Sequence, residues 1–248
     1  MLRKATMATG RIVVFLCVTA FFSCIPRTVA PLRTIAYEQA PHKDGLLVYL
    51  PGMGDSITVL QGNGLIDSIR AYAPSFDVVA ADVHYGYYAD RTLHERVTID
   101  IISPALARGY RRIWFLGNSM GGVGSQIYAW KHPGVIEGMI LLGPYTTSNG
   151  PVREIMKAGG LAAWSMPAQV KEKDWERPLW QWLKGCANGG PGCPRIYIAY
   201  GVKDKLAPGI RILEAALPKG RVIALDGGHD WPVWKEGLMR LLRAGVLQ

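Results

Sequence analysis

The chain has 248 residues, 49% of them hydrophobic and 19% charged, enough to bury one sizeable core with little room for a second independent domain. Its formal charge is +9, but Arg3, Lys4, Arg11 and Arg27 fall in the first thirty residues, which contain no Asp or Glu, so an excess of only five is spread over the rest. No run of Lys and Arg interleaved with aromatics accompanies it, which argues against a nucleic-acid partner.

Residues 1–30 read as an export signal, because a basic stretch precedes an apolar run from Ile12 to Phe22. That run is shorter than the ~20 residues of a comfortable bilayer span. Cleavage near Ala30 and cleavage after Ser23 both fit. The second would leave Cys24 as a lipid-bearing N-terminus, although Phe21 and Phe22 stand where a lipobox prefers an aliphatic and a small residue. An uncleaved anchor is the third reading. The protein is therefore expected to be exported, whether periplasmic, envelope-attached or secreted, with membrane attachment only through an N-terminal lipid or an uncleaved leader.

Residues 31–248 then read as one α/β domain. Strands are predicted at 46–50, 77–83, 112–117, 138–143, 195–200 and 221–225, with another near 33–38. Each is nearly continuous in apolar residues, as expected of a parallel sheet buried on both faces. Helices are predicted at about 57–72, 90–108, 120–132, 207–217 and 231–244, giving a mostly parallel sheet flanked by helices. The interval 146–194 breaks the rhythm with roughly fifty residues that hold Trp164, Trp175, Trp180 and Trp182. Inserted after a strand's carboxyl end, it reads as a lid or cap over the site. Its tryptophans either line an acyl-binding surface or fasten the insert to the body. Cys186 and Cys193 flank Ala-Asn-Gly-Gly-Pro-Gly, a loop that turns sharply, and an exported chain meets oxidising conditions; a local disulfide is expected. No CxxC pair or His cluster supports a metal site.

The strongest chemical signal is Gly117-Asn118-Ser119-Met120-Gly121, between a predicted strand and a small-residue helix. A serine hydroxyl needs exposure at a sharp turn to act as a nucleophile, and flanking glycines permit that turn. Upstream, Leu46 to Leu50 runs into Pro51-Gly52-Met53-Gly54, a loop able to aim backbone N–H groups at an oxyanion; Met53 and Met120 are the candidate donors. Of five histidines, His229 follows the last predicted strand and two glycines, so it is the candidate base. His94 and His132 lie in helical segments and read as structural. His84 opens the aromatic turn His84-Tyr85-Gly86-Tyr87-Tyr88, where His84 and Tyr85 are candidates for substrate contact. Asp204 follows a strand end and is the candidate acid; Asp226 and Asp230 are closer to His229 along the chain, which makes alignment with its ring harder.

Together these residues resemble the α/β-hydrolase superfamily over roughly residues 45 to 245. The likeness rests on the GNSMGG elbow, Lys131-His132-Pro133 after it, the segment from Gly201 to Pro208, and Gly227-Gly228-His229-Asp230-Trp231. The last, with Trp234, is similar to the histidine loop of esterase D-like carboxylesterases. The resemblance implies hydrolysis of small-molecule esters or thioesters through an acyl-enzyme, with no cofactor. Two departures stand out: the family's oxyanion strand often ends in His-Gly where this chain has Pro51-Gly52, and little chain precedes that strand, so a sheet trimmed at its N-terminal end is expected. Acyl transfer to an alcohol or amine shares the same intermediate and stays open. A non-catalytic binding protein of the envelope is a further alternative, disfavoured by the intact Ser, Asp and His set.

Overall fold

The computed structural model describes residues 26–248. The apolar run and Cys24 of the predicted leader lie outside the described residues. Seven strands form one sheet: β1 (Thr34–Tyr37), β2 (Gly45–Leu50), β3 (Phe76–Ala81), β4 (Arg112–Asn118), β5 (Gly138–Leu142), β6 (Arg195–Gly201) and β7 (Val222–Leu225). Their order is β1-β3-β2-β4-β5-β6-β7, all parallel except β1, which pairs antiparallel with β3. This is the expected α/β sheet, trimmed to one antiparallel edge strand.

The continuous apolar runs have the predicted cause. Successive side chains of a strand point to opposite faces, so Leu46, Val48 and Leu50 of β2 enter one core while Leu47 and Tyr49 enter the other. The first core is covered by α3 (Tyr85–Ala89), α4 (Leu93–Val97), α5 (Ser103–Ala107), α6 (Met120–Lys131), α7 (Asn149–Lys157), α8 (Glu176–Ala187) and α9 (Ala207–Ala216). The second is covered by α1 (Val59–Gly62), α2 (Leu65–Tyr72) and α10 (Trp231–Arg243).

Three predicted elements differ in detail. The helix expected at 57–72 is two pieces, because Gly64 takes a left-handed conformation between them (φ 68°). The one expected at 90–108 is interrupted by a π-turn over Thr98–Ile102, while α3 forms inside the stretch read as an aromatic turn. The strand expected to reach residue 83 ends at Ala81, where the Val83 N–H turns back onto the Ala81 carbonyl at 2.9 Å. Between β5 and β6 lies the insertion, carrying α7 and α8. Its buried Trp180 donates to Thr147 Oγ1 at 2.7 Å and its buried Trp164 to Glu154 at 2.7 Å. Both bonds lie within the insertion; its link to the body is the burial of Trp164 and Trp180 in the first core. Cys186 and Cys193 are bonded, with Cα atoms 5.2 Å apart.

At the amino-terminal edge of the sheet, Glu137 binds the strands on either side of its own. It accepts from Arg112 Nε at 3.1 Å, from Trp114 Nε1 at 3.0 Å and from the Arg195 guanidinium. Burial opposes its ionisation, but the Trp114 N–H and Arg112 outweigh that and hold the carboxyl below the ordinary glutamate value of 4.5. A lowered folded-state pKa means that this contribution is complete above pH 4.5 and is lost as pH falls through the folded value. Glu137→Gln should therefore flatten the acid limb of a stability-versus-pH curve measured by urea denaturation.

The segment before β1 is part of the folded body. Val29 exchanges hydrogen bonds with the Tyr87 hydroxyl, its N–H donating at 3.2 Å and its carbonyl accepting at 3.0 Å, while the Leu32 N–H donates to Asp100 at 2.7 Å. Thr28 donates to Asp90 at 3.2 Å. A chain beginning at Pro31 keeps only the Leu32 contact. It should be less stable than one beginning at Pro26 by about 1–2 kcal/mol, the worth of the lost bonds, which a thermal melt would read as roughly 2–8 °C.

Candidate active site

The elbow is built by close approach. β2 pairs with β4 in a register that sets Leu50 opposite Gly117, and the first turn of α6 then lies against the end of β2. A Cβ at position 121 would sit 1.9 Å from the Leu50 carbonyl oxygen, so only glycine fits. Ser119 between them has φ 49° and ψ −113°, a strained backbone for a side-chain-bearing residue. The Ser119 N–H donates to Leu142 O, and its carbonyl accepts from Tyr145 N–H, both at 2.9 Å, which fixes the turn to the carboxyl end of β5.

Ser119, His229 and Asp204 meet at the carboxyl edge of the sheet. His229 Nδ1 lies 2.6 Å from Asp204 Oδ2, and its Nε2 lies 2.8 Å from Ser119 Oγ. Ionised Asp204 only accepts, so Nδ1 carries the proton and Nε2 is left to accept from the serine hydroxyl. The other Asp204 oxygen accepts from the Leu206 N–H at 2.8 Å, and the carboxylate is fully buried. The two nearer aspartates are engaged elsewhere. Asp226 pairs with Lys203 at 2.7 Å on the surface, and Asp230 caps α10 by accepting from the Val233 N–H at 3.1 Å. Trp234 stands edge to face with His229, ring centroids 4.8 Å apart.

Two backbone N–H groups adjoin the elbow, one on α6 and one on the loop after β2. The Met120 N–H belongs to the first residue of α6, where a helix offers no acceptor of its own. The Met53 N–H has no acceptor among the described residues, and the Met53 side chain is 67% exposed. His84 caps α3, its Nδ1 accepting from the Gly86 N–H at 3.2 Å, and Tyr85 is exposed; among the described residues neither bonds to Ser119, His229 or Asp204. The member of that turn which reaches the elbow is Tyr88, whose hydroxyl donates to Met120 O at 3.0 Å. Burial raises the Tyr88 pKa, which keeps the hydroxyl a donor. Asp55 leaves no mark in the sequence, and Asn118 and Trp231 stand within the motifs without a role of their own, yet the three join the loops around the site. Among the described residues, no cluster of three or more His, Cys, Asp or Glu side chains is disposed to hold a metal ion.

Gly143, just past β5, has φ 48°, and a Cβ there would lie 2.5 Å from Trp234 Nε1 and 3.1 Å from Asp204 Oδ2. Gly143→Ala should therefore displace the acid and the indole behind the base. An expected kcat loss of about tenfold or more follows from misaligned catalytic groups, and steady-state kinetics beside a melting curve would check it.

The family model described as serine aminopeptidase, S33, matches residues 57–176, a span that includes Ser119 and ends before Asp204 and His229. No curated protein matches the sequence. Similar solved structures include a monoacylglycerol lipase of Paleococcus ferrophilus, 17% identical with a TM-score of 0.55, covering 87% of this chain and 98% of that one. Est1E from Butyrivibrio proteoclasticus is 13% identical with a TM-score of 0.57, covering 89% of this chain and 96% of its own. FphF, a fluorophosphonate-binding serine hydrolase of Staphylococcus aureus, is 16% identical with a TM-score of 0.52, covering 88% and 99%.

Proposed function

We propose that this chain, an α/β-hydrolase by fold whose residues 57–176 match the family model described as serine aminopeptidase, S33, is a serine hydrolase that cleaves small carboxylic esters or thioesters through an acyl-enzyme on Ser119. The observation that carries this reading is the unbroken hydrogen-bond line from Ser119 through His229 to buried Asp204, set at a strained elbow. A lipase and a fluorophosphonate-binding serine hydrolase among the similar folds agree with it.

Ser119 Oγ attacks the carbonyl carbon while His229 Nε2 takes its proton. Asp204 offsets the imidazolium charge and holds the ring. The carbonyl oxygen becomes an oxyanion, which the Met53 and Met120 N–H groups stabilise. His229 then returns the proton to the departing alcohol or thiol, leaving Ser119 acylated. A water that gives its proton to His229 attacks the acyl ester, and as the second tetrahedral intermediate collapses His229 returns that proton to the departing Ser119 Oγ, releasing the acid and restoring the free serine and neutral imidazole. The Cys186–Cys193 bond supports an oxidising compartment, in keeping with an exported enzyme.

Ser119→Ala should lower kcat on p-nitrophenyl esters by about 10⁴-fold or more and abolish labelling by a fluorophosphonate probe. Labelling that survives the substitution would rule out Ser119 as the nucleophile.

A further inference from the structure

One carboxylate joins the three loops that make the site. Asp55 closes the loop after β2, its N–H donating to Gly52 O at 3.1 Å. Its Oδ2 accepts from Asn118 Nδ2 at 2.6 Å, and its Oδ1 accepts from Trp231 Nε1 at 3.0 Å. Asn118 immediately precedes the nucleophile, and Trp231 lies two residues beyond the base. Asn118 in turn accepts through Oδ1 from the Gly52 N–H at 3.0 Å and from the Tyr49 hydroxyl at 2.8 Å.

The donor and acceptor roles in this network leave no freedom. Burial first, and the nearby Asp55 charge second, raise the Tyr49 pKa, so its hydroxyl remains a donor. That points the Asn118 oxygen toward Tyr49 and Gly52 and its NH₂ toward Asp55. An indole N–H and an amide NH₂ are both donor-only groups, so a carboxylate can receive the two while an asparagine would set N–H against N–H on one side. The network also runs directly behind the nucleophile. A Cβ at Gly52 would meet Asn118 Nδ2 at 2.7 Å, Asp55 Oδ2 at 2.9 Å and Ser119 Cβ at 3.3 Å. The Gly52 N–H is consumed by this arrangement, and the next N–H along the chain, that of Met53, is left without an acceptor among the described residues.

Resting on the reading of Ser119 as nucleophile and Met53 as oxyanion donor, we propose that Asp55 is a positioning residue of the oxyanion hole. By binding the elbow through Asn118 and the histidine loop through Trp231, it holds the 51–55 loop where the Met53 N–H meets the developing oxyanion. Loss of Asp55 misplaces a donor that matters in the transition state more than in the bound substrate, so kcat falls while KM stays nearly constant.

The test compares the full chain with Asp55→Asn, Trp231→Phe and the double variant, each with a thermal melt. Asp55→Asn should lower kcat on p-nitrophenyl esters by about 10- to 100-fold, as expected for a misplaced oxyanion donor. KM should stay within about threefold, since substrate binding is spared. Fluorophosphonate labelling of Ser119 should slow in parallel, and the Gly52 amide should lose hydrogen-exchange protection. The double variant should lose no more than Asp55→Asn alone, because both act through the same carboxylate. Unchanged kcat and labelling in Asp55→Asn, a rise in KM alone, or additive losses in the double variant would each overturn the proposal. Should Asp55→Asn fail to fold, Trp231→Phe carries the test: a loss in kcat at constant KM supports it and no loss overturns it. A wild type that labels but hydrolyses no ester defeats the substrate reading alone, since the labelling ratio still reports on Asp55. A wild type that does not label removes the nucleophile and the proposal with it.

Discussion

The catalytic edge depends on how closely the end of β2 approaches the first turn of α6. The parallel register of β2 and β4 sets their ends level, and the absent side chain at position 121 lets backbone meet backbone. The two backbone N–H groups proposed as oxyanion donors adjoin that contact, one on the loop that leaves β2 and one on the helix that leaves β4. The strain at Ser119 is sustained because its N–H and carbonyl are both engaged by the segment around the end of β5. Ser119 is thus held by three strands at once, which is how an unfavourable backbone persists in a folded protein.

Charge in the site is economical. A single buried carboxylate, Asp204, faces the base, and its second oxygen is satisfied by a backbone N–H, so no second ionisable group is needed to support it. Asp226 and Asp230, nearer along the chain, are drawn off by a lysine and by a helix terminus. Competing carboxylates next to an imidazole would blur which one orients it; giving each its own partner prevents that.

Much of this architecture was legible in the residue order, for physical reasons that also explain what was not. Strands such as β2 announce themselves because burial on both faces demands uninterrupted apolar residues. Ser119 and His229 stand at strand ends in glycine-rich turns, which leaves a local mark. Asp55 bonds to Asn118, 63 residues away, and to Trp231, 176 residues away, and such pairings leave no periodicity to read. In the 84–88 stretch, Tyr88 reaches the elbow because the segment coils into a helix and turns that hydroxyl inward, a long-range contact with no local pattern to mark it. The π-turn at 98–102 was likewise hidden, because one extra residue in a helical turn barely disturbs an apolar stripe.

Glu137 sits at the opposite end of β5 from Ser119, Asp204 and His229, tying three central strands together. The sheet is thereby clamped at one rim and worked at the other. Such a division lets the loops after β5 and β6 lengthen, shorten or change composition over generations without loosening the strands that carry them. A scaffold so arranged can acquire new specificities by exchanging its rim alone.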